Sequence, residues 1–211
     1  MISRLKHSDD TSHIPVVVVT AKIAEEARLE AYECGADSFI TKPFSSKLLK
    51  ARIKNIINTR RRLARMVLEA QLPAAPDTAT TAVENIAPEQ HSDEIVSGLT
   101  AADSDFLHKV GGIINANIAG EQLDVGFIAD AMCMSHSTLY RKVKAISGMS
   151  VAGLIRKYRA RKAAELLLTG EYTVSEIALL VGMGSPANFR QCFREEFGTT
   201  PSEYFRRSKE K

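Results

Sequence analysis

The chain has 211 residues, 45% hydrophobic and 25% charged, an ordinary globular balance that suits one or two domains. Its formal charge of +3 is unevenly placed: +5 over 1–70, −5 over 71–100 and +3 over 101–211, with +8 concentrated in 135–162. A basic block inside a folded segment suits a polyanionic partner, or equally a solvated helix face.

The three cysteines, Cys34, Cys133 and Cys192, lie far apart in apolar, helix-like settings. That excludes a disulfide framework and a C-x-x-C site, and reads as three small core residues in a reducing compartment. The histidines show no metal-ligand spacing. No apolar run reaches the ~18 residues of a membrane span, and the N-terminus lacks the shape of a signal peptide. No metal, cofactor, membrane or small-molecule ligand is expected, and the cytoplasm is the expected location.

Ile14-Pro15 opens the apolar run Val16–Thr20, typical of a strand buried on both faces. Glu25 to Cys34 reads as a helix with Ala27, Ala31 and Cys34 on one stripe and Gly35 as its stop. Ser38–Thr41 is a second short strand. Lys42-Pro43 follows, and Ser45 or Ser46 can cap a helix running to about residue 70. On that helix Leu49, Ile53, Ile56, Leu63, Val67 and Ala70 recur at spacings of 4 and 3, with Arg60 filling the gap. Two readings stay open: the helix packs on its own sheet, or its second half, past the reach of the sheet, forms a coiled coil, giving a homodimer through residues 46–70. Arg60-Arg61-Arg62 is either solvated or a DNA contact. Residues 71–100 hold three of the seven prolines and no Lys or Arg, and read as a disordered acidic linker.

Residues 101–211 read as seven helices without a strand. Asp103 caps the first, which runs to about Ala119 with Phe106, Val110, Ile113 and Ile114 on one face. In LDVGFIADAMCMSHSTLYRKVKAISG (123–148) Asp124 caps a short helix with Ile128 and Met132 inward. A turn follows, then a helix with Leu139, Val143 and Ile146 inward. Fifty residues on, TVSEIALLVGMGSPANFRQCFREEFG (173–198) repeats the arrangement, with Thr173 as cap, Ile177 and Val181 inward, then Phe189, Phe193 and Phe197. A short helix, a turn and a second helix opened by Ser make a helix-turn-helix, and two in register are far stronger than one.

HIPVVVVTA (13–21), ECGADSFITKPF (33–44) and the helix after them resemble the second half of a response-regulator receiver domain. That resemblance makes Thr20 and Phe39 the switch pair, Lys42 the phosphoryl-contacting lysine and Lys42-Pro43 a cis peptide. The acidic pair and phosphoacceptor aspartate of a receiver have no counterpart here; Asp9 and Asp10 lie in a short polar loop with no strand before them. The Val16–Val19 strand is expected to keep an unpaired edge and uncovered faces.

IRKYRARKAAELLLTG (155–170), IALLVGM (177–183), FRQCFREEFG (189–198) and TPSEYFR (200–206) resemble the AraC/XylS family of regulators. The expected fold is therefore mainly α: a seven-helix AraC-type domain with two helix-turn-helix units, preceded by an incomplete α/β receiver fragment of two strands and two helices. The expected boundaries are 1–70, 71–100 and 101–211.

Double-stranded DNA is the expected partner, with RNA polymerase a further one. Ser137, Tyr140, Arg141 and Lys144 form one polar stripe, and Asn188, Gln191 and Arg194, flanked by Arg190, form the second. Arg141 can fork onto a guanine, and Asn188 and Gln191 can pair with adenine edges. Lys144, Arg190 and Arg194 suit phosphates. Helix 151–168 spans about 27 Å, close to one turn of B-DNA, and by the resemblance it sets both reading helices in successive major grooves. Leu154, Ile155, Tyr158, Leu166 and Leu167 would anchor it.

The order of parts resembles the C-terminal end of a hybrid two-component regulator. The competing reading is a partner-docking or phosphotransfer receiver module without DNA activity of its own. No Ser/His/Asp set or paired carboxylate points to an enzyme. These 211 residues are expected to take up no phosphoryl group at a receiver aspartate; incubation with acetyl phosphate and intact mass analysis should show no adduct.

Overall fold

A computed structural model describes residues 1–8, 11–21, 25–72, 99–120 and 122–209. Most of the expected linker, 73–98, lies outside the described residues, as do Asp9 and Asp10. The elements are α1 (Ile2–His7), β1 (Val17–Thr20), α2 (Glu25–Glu33), β2 (Ser38–Thr41), α3 (Ser46–Ala70), α4 (Ala101–Ala116), α5 (Val125–Ala131), α6 (His136–Ser147), α7 (Val151–Thr169), α8 (Val174–Leu180), α9 (Pro186–Phe197) and α10 (Pro201–Lys209). The described residues divide into two compact units. Of the described residues, one unit holds 1–67, 99–107 and 141–148, and the other holds 68–72, 108–140 and those from Met149 onward.

In the first unit β1 and β2 pair in parallel, from Val17 opposite Ser38 to Thr20 opposite Thr41. β2 buries three of its four residues, whereas β1 is half-buried and exposes Val19. A run of the type usually buried on both faces is thus only half-covered, and the edge expected to stay unpaired does so: among the described residues the sheet has only these two strands. Phe39 packs with Ala31 and Ala36, and Ile2, Val18 and Tyr32 lean on that cluster.

Asp37, at the foot of β2, organises this unit. Its Oδ2 accepts from Lys6 Nζ (2.6 Å) and from the backbone N–H of Val16 (2.6 Å), and its Oδ1 accepts from Arg60 Nη2. Arg60 Nη1 also donates to the His13 carbonyl (3.1 Å). The sequence reading missed α1, whose Lys6 is one of these donors. It also placed Arg60 past the reach of the sheet and offered it as solvated or as a DNA contact; the buried Asp37 holds it inside.

Ser45 supplies the start of α3, accepting from Lys47 N–H (3.2 Å). Along α3 the chain itself buries Arg60, Ala64 and Leu68, four residues apart, and not the heptad seam: Ile53 and Ala70 are exposed, and Leu49, Ile56, Leu63 and Val67 are half-buried.

Seven helices follow, α4 to α10. Asp103 does not cap α4. Its N–H donates to Thr100 Oγ1 (3.1 Å) and its side chain is buried in the first turn. In the second unit the end of α3 lies on α4 and α7: Tyr158 Oη donates to the Leu68 carbonyl (3.5 Å), Asn115 Nδ2 to the Gln71 carbonyl (3.0 Å), and Lys157 pairs with Glu69 (3.0 Å). Gly111 allows this approach, because a Cβ there would overlap Tyr158 Oη and Gln71 Oε1.

Removing the charge of a buried pair strands its partners at a cost of about 3–5 kcal/mol. Asp37→Asn removes the carboxylate that Lys6 and Arg60 share and is expected to destabilise the first unit by roughly 3 kcal/mol. Urea unfolding followed by circular dichroism checks this, and an unchanged midpoint refutes it.

Candidate nucleic-acid interface

The two motifs are built by the same local chemistry. Asp124 Oδ1 accepts from Phe127 N–H (2.8 Å) to start α5. Thr173 starts α8 with a reciprocal box: Thr173 Oγ1 accepts from Glu176 N–H (3.3 Å), and Glu176 Oε2 accepts from Thr173 N–H (2.7 Å). The Thr173 N–H, and after it the Thr173 hydroxyl, hold the Glu176 carboxyl below its usual range. Ser135 and Ser185 cap the second helix of each motif, accepting from Thr138 N–H (3.2 Å) and Asn188 N–H (3.4 Å).

Both turns leave the first helix alike. Met134 N–H returns to the Ala129 carbonyl (2.9 Å) and Met183 N–H to the Ala178 carbonyl (2.8 Å). Just before each methionine the backbone enters the left-handed region, at Cys133 (φ 52) and Gly182 (φ 70). The second turn then holds one residue more, Gly184, before its capping serine. Cys133 is therefore an exposed turn residue and not the core residue expected; Cys34 is half-buried, and only Cys192 is buried.

The second motif closes over one core: Ala163, Ala164 and Leu167 of α7, Ile177 and Ala178 of α8, Val181 and Met183 of the turn, Phe189 and Phe193 of α9, and Tyr204 of α10. Phe193 meets Phe189 at 5.8 Å and Tyr204 at 5.4 Å, both edge to face. In the first motif Ile128, Leu139, Val143 and Ile146 are buried as expected, while Met132 is half-buried at the helix end.

With those faces inward, the two polar stripes stand outward. Ser137, Tyr140, Arg141 and Lys144 are all exposed on α6. Asn188, Arg190, Gln191 and Arg194 are all exposed on α9, where Ala187, Arg190, Gln191, Arg194 and Glu195 line a shallow concavity. Gln191 Nε2 donates to Glu195 Oε1 (3.1 Å), a contact that orients the amide.

Most of the basic block of 135–162 is engaged within the chain. Lys142 is buried with its ammonium 4.7 Å from the centre of the Phe106 ring. Arg161 and Lys157 meet Glu196 at 3.0 and 3.8 Å, and Lys162 pairs with Glu165. Arg159 donates to backbone carbonyls. Arg141, Lys144 and Arg156 are the exposed members.

Of the receiver residues, Phe39 is buried, Thr20 is half-buried and its carbonyl accepts from the Lys42 N–H (2.8 Å), and the Lys42 side chain is exposed beside a cis bond to Pro43. Among the described residues no cluster of His, Cys, Asp or Glu could hold a metal ion. No described helix is long and apolar enough to cross a membrane.

Residues 128–207 match the model of a helix-turn-helix domain, and residues 1–54 match that of the response regulator receiver domain. The chain is thus similar to a receiver domain in its first part and to a helix-turn-helix domain in its last. It is 33% identical over 210 residues to Histidine kinase P4 of Formosa agariphila, a match covering all of this chain and 14% of that protein. It is 48% identical over 68 residues to the phosphate regulon transcriptional regulatory protein PhoB of Escherichia coli, covering 32% of this chain and 28% of PhoB. To the HTH-type transcriptional activator CfaD of Escherichia coli it is 26% identical over 117 residues, covering 55% of this chain and 43% of CfaD. The chain thus spans less than half the length of each of these relatives.

The helix-turn-helix domain should tolerate Cys133→Gly, since glycine adopts the left-handed turn without the Cβ clash. Timed alkylation of the native chain should label Cys133 first and Cys192 last. Labelling of Cys192 as fast as Cys133 contradicts this arrangement.

Proposed function

We propose that the chain is a sequence-specific DNA-binding transcription regulator, the output end of a two-component phosphorelay, and not an enzyme. One observation carries this reading: the second helix of both motifs buries its apolar face and exposes the polar stripe expected to meet bases. The match to a helix-turn-helix domain and the likeness to a transcriptional activator support it.

In this reading α6 and α9 enter successive major grooves of double-stranded DNA. Ser137, Tyr140 and Arg141 on the first helix, and Asn188 and Gln191 on the second, face base edges. Lys144, Arg190 and Arg194 neutralise phosphates and fix the register. The internal pairing of Lys157, Arg161 and Lys162 concentrates the attraction on these two helices. In this reading the domain works in the cytoplasm, with RNA polymerase as a further partner. A homodimer through residues 46–70 would use the exposed and half-buried Ile53, Leu63 and Val67, and would double the number of base contacts. Thr20, Phe39 and Lys42 act as receiver switch residues when the segment is part of a complete receiver.

Selection of binding sites from a random duplex pool tests the reading directly; recovery of no motif at low salt refutes it. Against a recovered site, Arg141→Ala should cost about 1–3 kcal/mol and relax one base position. Lys144→Ala should weaken all sequences alike and lower the salt slope by about 1. Equal loss on specific and random DNA for Arg141→Ala would reassign it to a phosphate.

A further inference from the structure

Two motifs joined by one helix read a composite site only if their relative phase is fixed. Three segments of the second unit meet around one side chain in the middle of α7. Arg159 Nε donates to the Ile118 carbonyl (3.3 Å), and its Nη2 donates to the Gly120 carbonyl (2.8 Å). These carbonyls belong to the segment that leaves α4, where Gly120 N–H returns to Asn117 and Leu123 N–H to Gly120, delivering the chain to the Asp124 cap of α5.

The turn of the second motif presses on the same point. At Gly182 an added Cβ would stand 2.8 Å from Arg159 Nη2 and 2.9 Å from the Ile118 carbonyl oxygen. Glycine is thus required twice at this position, by its φ of 70 and by the backbone beneath it. Arginine is suited to this place because its planar fork spans two carbonyls, which a single ammonium cannot do with the same geometry. Burial lowers its pKa from the usual value, yet arginine keeps its charge.

We infer that Arg159 is a positioning residue that sets the phase between the two helix-turn-helix motifs, and so the spacing of the two DNA boxes they read. It ties the lead-in to the first motif and the turn of the second to one point on α7. This rests on the DNA-reading function proposed above.

The test compares the full chain with Arg159→Ala, Arg159→Lys and Gly182→Ala. In selections from a random duplex pool the native chain should recover two boxes at one spacing. Arg159→Ala should recover the same two boxes over several spacings, with at least tenfold weaker binding to the native spacing and unchanged binding to random DNA. Arg159→Lys should fall between them. Gly182→Ala, with Arg159 in place, should spread the spacing in the same way, because the turn must retreat from the Ile118 carbonyl.

Amide hydrogen exchange gives an arm that needs no DNA. Arg159→Ala should speed exchange at least tenfold in both 117–124 and 181–185. Retention of the native spacing by Arg159→Ala, or faster exchange confined to α7, overturns the inference. Failure of the native chain to recover any motif would instead strike the proposed function, while the exchange arm still decides whether Arg159 couples the two segments.

Discussion

The second unit depends on the burial of α7. Val151, Leu154, Ile155, Tyr158, Ala160, Ala163, Ala164 and Leu167 are all removed from solvent. These residues are not confined to one stripe, and Ala163, Ala164 and Leu167 of its second half join the core of the second motif. Ser150 and Gly170 fix its two ends: the serine hydroxyl accepts from Gly153 N–H, and the glycine turns left-handed to release the chain. Of the basic residues on α7, Lys157, Arg159 and Arg161 are held by carbonyls and carboxylates of its neighbours and Lys162 by Glu165 of the same helix, while Arg156 stays exposed.

Much of this was legible in the sequence. Caps at Asp124 and Thr173, the inward Leu139, Val143, Phe189 and Phe193, and the seven-helix count rest on local rules of spacing and hydrogen bonding. The eight candidate base and phosphate contacts were found because they stand opposite those inward residues, and all eight are exposed. What failed was tertiary. Cys133 sits among apolar neighbours in sequence, but the turn geometry puts it outside. Arg60 interrupts a hydrophobic seam and looks like a surface residue until Asp37, 23 positions away, is brought to it. Asp103 is a good cap by type, yet Thr100 takes the role and the carboxylate is buried. Net charge over 135–162 could not distinguish a binding surface from internal pairing, because Glu69, Glu165 and Glu196 neutralise it from outside the block. The comparison of IADAMCM with IALLVGM did hold a signal that was passed over: it places Cys133 on Gly182.

The receiver segment follows a different economy of contacts. Its two-strand sheet offers little area, and a single carboxylate draws in α1, the approach to β1 and the middle of α3. An ionic centre of this kind is sensitive to the loss of any one member, because the others are left charged and dry. The apolar cores of the helix-turn-helix motifs yield more gradually to substitution.

Gly184 makes the two motifs unequal by one residue. The first helices superpose at an offset of 49 positions and the second helices at 50. The motifs are therefore not exchangeable cassettes. Transplanting 177–185 in place of 128–135 would lengthen the connection into the following helix, and rejoining the chain by cutting one helical residue would swing that helix's reading face by about 100°. In the proposed reading, any transfer of a DNA preference from one motif to the other is made at side chains of α6 and α9, with each turn left as it stands.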